Sequence, residues 1–351
     1  MIRAILKTAA KSSLVEAVIF GIAKIIGRAP ARKSKPNVTR EVDAVYLWVN
    51  DQDPKWQAKR AEFRPTGETK VAAAASRFRQ FNELPTSIKL LAVNAPFVRK
   101  VYVVVDDQEP NLTDLVQELP FEIVVVNHTD FIPAKFLPTF NSRAITAHLH
   151  LIPGLSERFL YLNDDVFVGR SSAVEDWFDG KKLRTRFTET RFPAVETLAE
   201  NEVLYRARWK CVALAKAKGW SVDDRMPEHS PYPLTKNIMT ELWKTFPKEM
   251  AETAGSRFRT ADAILPELLA FYFAAGNKLS TPVTDSSYKY VPMNEASGIL
   301  PIIDLALKPN RFLTLCLNDV SEVAPGNQIS TRALAKRYSR VLRFLESTAG
   351  N

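Results

Sequence analysis

Residues 136–170 read FLPTFNSRAITAHLHLIPGLSERFLYLNDDVFVGR, and the second half of this stretch decides the fold. An apolar run, 159–162, stops at Asn163-Asp164-Asp165 and resumes at Val166. A short apolar run with polar boundaries predicts a buried strand. Its adjacent carboxylates would lie at the edge of a sheet, where open α/β folds bind ligands. They fit either an oxygen-ligand site for a hard cation or a simple Asn-Asp turn.

A helix is predicted directly before this strand, from residue 142 to His150. Asn141 and Ser142 are the candidate N-caps, because their side-chain oxygens can accept a hydrogen bond from a free backbone amide of the first turn.

Other apolar runs in the first half of the chain also end in polar residues. Residues 42–49 (VDAVYLWV) lead into Asn50 and an Asp-rich turn, 100–105 (KVYVVV) end at an Asp pair, and 121–126 (FEIVVV) end at Asn-His. Segments of helical length separate them. This alternation predicts an α/β fold with a mostly parallel central sheet.

Later segments supply further candidates for a polar site. His229 lies in MPEHSPYP, where three prolines stiffen the backbone, and an imidazole fixed there suits a general base. Arg259 precedes a predicted helix, 263–275, with Thr260 as its expected cap, so it would face an anion near a helix N-terminus. A last apolar run, 311–317, ends at Asn318-Asp319. Two strands that both end in Asn-Asp suggest two edges of one site.

Arg77 and Arg79 lie one residue apart near the start of a predicted helix. They fit a bidentate clamp on phosphate oxygens, or an ion pair with Glu83.

Composition narrows the protein class. A chain of 351 residues that is 46% hydrophobic and 25% charged can bury a large core. Cys211 and Cys316 are too far apart in sequence to indicate a disulfide framework or a metal knuckle. We therefore expect both cysteines in the core of a cytoplasmic protein.

The net charge of +9 is concentrated in the N-terminal arm, residues 1–40. The arm has nine Lys or Arg against Glu16, a net of +8, which leaves +1 for the rest of the chain. A nearly neutral body argues against a nucleic-acid surface. The apolar run 14–26 is too short to span a bilayer. We predict a helix in the interface of an anionic inner membrane, followed by a linker. The alternatives are a poor signal peptide, a frayed tail or a helix that packs on the body.

The motifs together resemble the Stealth family of sugar-1-phosphate transferases. This family includes bacterial capsule and exopolysaccharide polymerases and the catalytic subunit of the lysosomal-enzyme N-acetylglucosamine-1-phosphotransferase. The resemblance rests on four blocks: VDAVYLWVNDQDPKW (42–56); RFRQFNELPTSIKLL (77–91) through KVYVVVDD to LPTFNS…LNDDVFVGR; EHSPYPLTKNIMTELWKTFPKEM with FRTADAI; and LTLCLND. The chain departs from the family at Asn50 (usually Asp), at Gln80-Phe81 (usually Asp-Asn) and at Pro85 (commonly Arg).

The resemblance implies a nucleotide-sugar-binding fold of the glycosyltransferase-A type with a helical insertion. It also implies transfer of a hexose-1-phosphate, such as N-acetylhexosamine-1-phosphate, from a UDP-sugar to a glycan hydroxyl, with release of UMP. Such displacement needs in-line positioning and charge neutralisation. Under this resemblance, Mg²⁺ or Mn²⁺ would bind the diphosphate through Asp164, Asp165, Asn318 and Asp319.

The resemblance also implies roles for the other candidates. His229 would take the acceptor proton, Arg77 and Arg259 would stabilise the transferred phosphoryl group, and Asp165 would belong to the catalytic set as well. The residues expected to contact the nucleotide are Asp43, Asn50, Asn141 and Asn163.

Three units are predicted along the chain. They are the arm, 1–40; a catalytic domain, 41–325, with 171–225 as an insertion or acceptor lobe; and an amphipathic C-terminal helix within 326–351. Two rival functions stay open: a conventional metal-dependent glycosyltransferase that releases UDP, and a non-catalytic membrane-associated binding protein.

Overall fold

A computed structural model describes residues 40–64, 78–199, 202–285, 287–295, 298–308, 311–319 and 329–349. Residues 1–39 and Arg77 lie outside this set, so the predictions for the arm and for Arg77 remain predictions. Within the described residues, no helix combines the length and the apolar character that crossing a membrane requires.

Strands and helices alternate along the first part of the chain. The strands are β1 (Val42–Leu47), β2 (Val98–Val105), β3 (Glu122–Asn127), β4 (Arg158–Asn163), β5 (Val166–Val168), β6 (Phe178–Asp179), β7 (Lys182–Arg191), β8 (Arg225–Pro227), β9 (Tyr232–Thr235), β10 (Ser280–Val283), β11 (Tyr288–Pro292) and β12 (Thr314–Asn318). The helices are α1 (Pro54–Glu62), α2 (Glu83–Asn94), α3 (Thr113–Val116), α4 (Ser142–Thr146), α5 (Val203–Ala217), α6 (Lys236–Thr245), α7 (Pro247–Gly255), α8 (Pro266–Gly276), α9 (Ile299–Leu307) and α10 (Thr331–Thr348).

A five-stranded sheet in the order β3-β2-β1-β4-β9 forms the centre of the molecule. Its first four strands are parallel, and only β9 runs antiparallel to its neighbour β4. The apolar runs of β1, β2 and β4 are buried, as expected for parallel strands covered on both faces. The predicted α/β fold with a mainly parallel central sheet is confirmed.

Helices α6 and α7 are separate, because Pro247 cannot donate to α6 and instead begins α7. Two helix predictions needed correction. The helix expected from 263 begins at Pro266, and its N-cap residue is Leu265 rather than Thr260. The helix expected to reach His150 ends at Thr146.

A second, smaller sheet lies beside the central one, in the order β11-β12-β5. Gly169, just after β5, permits its close approach to β12, because an added Cβ would lie 2.8 Å from the carbonyl oxygen of Phe312. Helix α10 packs against this part of the core, with the Tyr338 ring stacked on Phe81 at 4.3 Å. The C-terminal segment therefore buttresses the loop that precedes α2.

Residues 171–225 combine strands and helix rather than helices alone. β7 pairs with β10, and α5 packs against α8. The role of this region as an acceptor lobe remains a prediction. Cys211 and Cys316 are both free and buried, as expected.

Asp43 lies near the start of β1, at the end of the sheet opposite to the candidate site. Its side chain is fully buried and accepts hydrogen bonds from Nε and Nη2 of Arg99, at 2.9 and 2.7 Å, and from the backbone N–H of Ser156. Four residues of extended strand separate it from Leu47, a distance of about 13 Å. The structure thus does not bring Asp43 to the position expected for a nucleotide contact.

Replacing Asp43 with alanine should therefore reduce stability. The change removes the acceptor for three donors, so we expect the free energy of unfolding to fall by about 1–3 kcal/mol. Urea unfolding followed by circular dichroism measures this loss. Glu41→Ala is the matched control, because its exposed carboxylate pairs with Arg158 at the surface. Unchanged stability together with weakened nucleotide binding would contradict a structural role.

Candidate functional site

The carboxyl ends of β1 and β4 lie side by side, with Leu47 paired to Asn163. Two further segments reach the same edge of the sheet. Strand β9 is antiparallel to β4 and begins where β4 ends, so the loop that precedes β9 reaches this edge. Strand β12 is antiparallel to β5 and ends beside Asp165, whose carbonyl accepts from the N–H of Leu317 at 2.9 Å. Segments far apart in the sequence therefore meet here.

Asp165 is at the centre of this edge. Its Oδ1 lies 3.3 Å from Nε2 of His229, and its Oδ2 accepts from the amide of Asn318 at 3.2 Å and from the Cys316 thiol at 3.8 Å. The predicted meeting of Asp165, His229 and Asn318 is thus present in the structure. Cys316 is an addition that the sequence did not single out as a site residue.

Asn163 lies beside the same imidazole. Its Nδ2 is 3.3 Å from Nε2 of His229, and its Oδ1 accepts from the Tyr161 hydroxyl at 3.0 Å. The hydroxyl bond directs the amide nitrogen toward the histidine. Asn163 therefore orients the imidazole in this structure.

Asp164 is held by a different partner from Asp165. The side-chain amide of Gln80 donates to Oδ2 of Asp164 at 2.5 Å, and Oε1 of Gln80 accepts from the indole N–H of Trp48. Burial and the charge of Asp165 raise the pKa of Asp164 to about 7. The same concentration of negative charge affects Glu83, because burial and the charge of Asp164 raise the pKa of Glu83 well above its ordinary value.

Asp319 forms an ion pair on the far side of Asn318. Its Oδ2 accepts from Nη1 of Arg79 at 2.9 Å, and its side chain is 7% exposed. The sequence offered an ion pair between Arg79 and Glu83 as one alternative. In the structure Arg79 pairs with Asp319, and Glu83 accepts a hydrogen bond from the backbone N–H of Phe81. Of the four predicted metal ligands, Asp165 and Asn318 therefore contact each other, whereas Asp164 is bonded to Gln80 and Asp319 to Arg79.

The electrostatics of His229 depend on Asp165. Burial lowers the pKa of His229, but the charge of Asp165 and the hydrogen bond to it outweigh burial, so the pKa is raised above 6.5. The contact with Asp165 thus increases the proton affinity of the imidazole.

Arg259 lies in a loop, seven residues before α8, and not at a helix N-terminus as predicted. Its Nη2 donates to the Ser142 hydroxyl at 2.8 Å.

Asn141 holds the segment that precedes Arg259, because the Asn141 amide donates to the carbonyls of Ser256 and Phe258. Asn141 is fully buried and caps α4 through the N–H of Arg143. The prediction that Asn141 caps the helix is confirmed. Its buried side chain supports the loop that carries Arg259 and is not exposed to a nucleotide.

Asn50 is in the loop after β1, at the expected edge of the sheet. Its Oδ1 accepts from the N–H of Gln52, and Gln108 bonds to its backbone N–H and carbonyl. Its position is compatible with a ligand contact, but its side-chain oxygen already stabilises the turn.

Glu267 is a titratable group near the site that the sequence did not reveal. It lies in the first turn of α8, and its Oε2 is buried without a hydrogen-bond partner among the described residues. Burial raises its pKa, and the charges of Arg143, Arg259 and His229 oppose that rise. A glutamate in the first turn of a helix is common, so no signal in the sequence distinguished it.

The donor atoms of Asp165, His229 and Cys316 lie within 4.8 Å of one another, close enough to hold a metal ion. In this cluster, a carboxylate oxygen of Asp165 suits a hard cation, whereas Asp164 lies outside the cluster. The Cys316 thiol fits such a cation less well, because burial and the charge of Asp165 raise its pKa well above the ordinary value. The cluster therefore fits a divalent cation with Asp165 as its oxygen ligand and His229 as its nitrogen ligand.

The geometry defines an α/β protein with a carboxylate–imidazole site at the carboxyl edge of a parallel sheet. Models of three conserved regions of the Stealth protein family match this chain: region 1 at residues 40–68, region 2 at 77–186 and region 3 at 228–276. The chain belongs to the Stealth family. Asp165 and His229 come from different conserved regions, so the contact between them joins two of these regions. The predicted fourth block, LTLCLND, carries Asn318 and remains a prediction.

Curated relatives include an exopolysaccharide phosphotransferase from Streptomyces coelicolor, 38% identical over 65% of this chain and 24% of its own length. A capsular polysaccharide phosphotransferase from Actinobacillus suis is 30% identical over 92% of this chain and 85% of its length. The chain spans only 24% to 55% of the Streptomyces relatives.

Among solved structures, the fold is similar to the galactosyltransferase LgtC, with a TM-score of 0.41 and 10% identity over 87% of this chain and 96% of that one. The glycosyltransferase GlyE from Streptococcus pneumoniae TIGR4 gives a TM-score of 0.40 and 13% identity, over 86% of this chain and 63% of that one. Scores of this size support no functional conclusion.

The raised pKa of Asp164 predicts pH-dependent binding of Mn²⁺. A proton and a metal compete for a carboxylate, so affinity should increase as the pH rises through about 7. Binding below that pH should release up to about one proton from Asp164, and binding above it should release less. Isothermal titration calorimetry between about pH 6 and 8, in buffers of different ionisation enthalpy, measures both effects. Asp164→Asn should remove that released proton, and Asp165→Asn should abolish binding. Wild-type affinity that is constant over this range would contradict the assignment.

Proposed function

We propose that this protein transfers a hexose-1-phosphate from a UDP-sugar to a hydroxyl of a glycan, forming a phosphodiester and releasing UMP. The transfer would serve capsule or exopolysaccharide synthesis, and N-acetylhexosamine-1-phosphate is the proposed transferred group. The observation that carries the proposal is the contact of Asp165 with His229 and Asn318 at the carboxyl edge of the sheet. Family membership and the names of the curated relatives support the same chemistry.

The proposed reaction is a displacement at the phosphorus next to the sugar. The acceptor oxygen forms a bond to that phosphorus, and the bond from the phosphorus to the bridging oxygen of the diphosphate breaks. UMP leaves with that oxygen. The acceptor proton passes to His229. Catalysis of this kind depends on positioning and charge stabilisation more than on covalent steps.

Nε2 of His229 is the proposed proton acceptor. This nitrogen is 3.3 Å from both the Asn163 amide and the Asp165 carboxylate. Neutral Nε2 can accept from Asn163, and protonated Nε2 can donate to Asp165. The two neighbours therefore supply a partner before and after proton transfer. Asp165 also stabilises the imidazolium that the transfer produces.

Positive charge for the transferred phosphoryl group would come from Arg259, with Arg77 as a second proposed contributor. Ser142 and the loop held by Asn141 fix the position of Arg259, which reduces the reorganisation needed during reaction. A bound Mg²⁺ or Mn²⁺ would neutralise charge on the diphosphate oxygens. Asp164 and Asp165 are its proposed ligands, with oxygens of Asn318 and Asp319 as additional candidates.

Nucleotide analysis tests the proposal directly. The protein is incubated with a panel of UDP-sugars and glycan acceptors, with and without Mg²⁺ or Mn²⁺. Release of UMP together with a phosphodiester signal in phosphorus-31 NMR is the expected result. Release of UDP would instead identify a conventional glycosyltransferase, and absence of any metal-dependent turnover would favour a binding protein.

His229→Ala should reduce kcat by a factor of about 10² to 10⁴, the usual contribution of a general base. Steady-state UMP release measures the effect, and added imidazole should restore part of the rate because it replaces the missing base. Circular dichroism of the variant checks that the fold is retained. A folded variant with unchanged kcat would show that another group accepts the proton.

A further inference from the structure

A pocket of about 330 Å³ lies beside the loop that carries Arg259. Phe258 and Thr260, the neighbours of Arg259 in the chain, both line it. The other side chains that matter here are two cations and two aromatic rings, Lys135, Arg257, Phe63 and Phe136. None of these four was assigned to the reaction above.

Each cation lies over an aromatic ring. The guanidinium carbon of Arg257 is 4.8 Å from the centre of the Phe63 ring, and Nζ of Lys135 is 4.9 Å from the centre of the Phe136 ring. These contacts hold the charges at the pocket wall. Neither cation forms an ion pair with a carboxylate of the described residues. Their charge is therefore available to an anionic ligand.

The wall of the pocket is firmly held. The N–H of Phe140 donates to the carbonyl of Arg257 at 2.8 Å, and the Asn141 amide bonds to the carbonyls on either side of it. Behind the wall, the ring of Phe258 stacks on Phe140 at 5.3 Å. The wall formed by residues 256–258 is thus in place before any ligand arrives, which lowers the entropic cost of binding.

We propose that this pocket binds an anionic segment of the growing glycan, namely a phosphodiester and the sugar next to it, at a distance from the reacting hydroxyl. The inference rests on the proposed function, in which every transfer adds one negatively charged phosphodiester to the acceptor. Arg257 and Arg259 are two residues apart, so at most about 7 Å separates their Cα atoms. In this proposal one loop supplies both contacts: Arg259 stabilises the reacting phosphoryl group, and Arg257 binds a phosphodiester formed in an earlier transfer.

The chemistry of the lining favours this ligand over a neutral one. The cations attract the phosphodiester, and the rings of Phe63 and Phe136 are half-buried, so their exposed parts can contact the adjoining sugar. Contacts with exposed cations depend on ionic strength, so binding should weaken as salt is added. The pocket would favour acceptors that already carry phosphodiesters.

Binding is tested on the full chain with a fluorescein-labelled capsular polysaccharide whose backbone contains sugar phosphodiesters. Labelled neutral dextran of matched length is the reference ligand. Fluorescence anisotropy should show tighter binding of the phosphodiester polymer, and that preference should fall with salt. Arg257→Gln and Lys135→Gln should each weaken it about two- to five-fold. Equal binding of the two polymers, or of wild type and variants, would overturn the inference.

A third variant fills the pocket without changing its charge. A Cβ added at Gly255 meets no atom within 4 Å, so the first side-chain atom of Gly255→Phe has open space. It should weaken binding of the phosphodiester polymer at least as much as loss of one cation. Lys181→Gln and Arg332→Gln are matched controls, because both residues are exposed and neither lines the pocket. Controls that weaken binding as much as Arg257→Gln would show a non-specific charge effect and overturn the inference.

Kinetics separate failure of this inference from failure of the proposed function. With oligosaccharide acceptors of increasing numbers of phosphodiesters, Arg257→Gln should raise KM for the longer acceptors and leave kcat and the KM of a neutral acceptor unchanged. Normal UMP release with no length-dependent change in KM overturns the pocket assignment alone. Absence of UMP release from wild type overturns the proposed function, while the binding comparison still decides whether the pocket recognises phosphodiesters.

Discussion

Crowding of negative charge at the carboxyl edge of the sheet is the constraint on which the rest of the structure depends. Asp164 and Asp165 are adjacent in sequence, and Glu83 lies close enough for its pKa to respond to both. Like charges in a partly buried place destabilise a fold unless other groups compensate. Here the compensation differs for each carboxylate. Asp164 receives an amide from Gln80, while Asp165 faces the imidazole of His229. Such a site would bind a cation with a gain in stability.

The compensating groups come from distant segments, and this dependence links the fold to the chemistry. Gln80 precedes α2, His229 precedes β9, and Asn318 ends β12. Each of these segments reaches the site only because its strand or helix is anchored elsewhere. The buttress formed by Tyr338 on Phe81 is one example, since it supports the residue beside Gln80 from the C-terminal helix. The acidic edge therefore relies on packing that extends to the end of the described chain.

Sequence patterns were sufficient for the four parallel strands of the central sheet and for part of the site, but they did not indicate β9. Apolar runs bounded by polar residues located those four strands, and the two Asn-Asp endings correctly indicated that Asp165 and Asn318 would meet. Asp43 was misplaced because it stands at the beginning of its strand, and strand starts and strand ends of a parallel sheet lie at opposite edges. The roles of Gln80 and Glu267 were out of reach, since their importance comes from tertiary neighbours rather than from periodicity or local motifs.

The loop 255–260 shows why a rigid segment and an open pocket can serve one reaction. Asn141 satisfies two backbone carbonyls of this loop from a fully buried position, so the loop has little freedom to rearrange. Arg259 gains a fixed partner in Ser142, which suits a group that must already be in place when charge develops. Arg257, on the same backbone, is exposed, which suits reversible contact with a chain that must move after each transfer. A tight site at that second position would retain the product, whereas two exposed cations bind it weakly enough to release it.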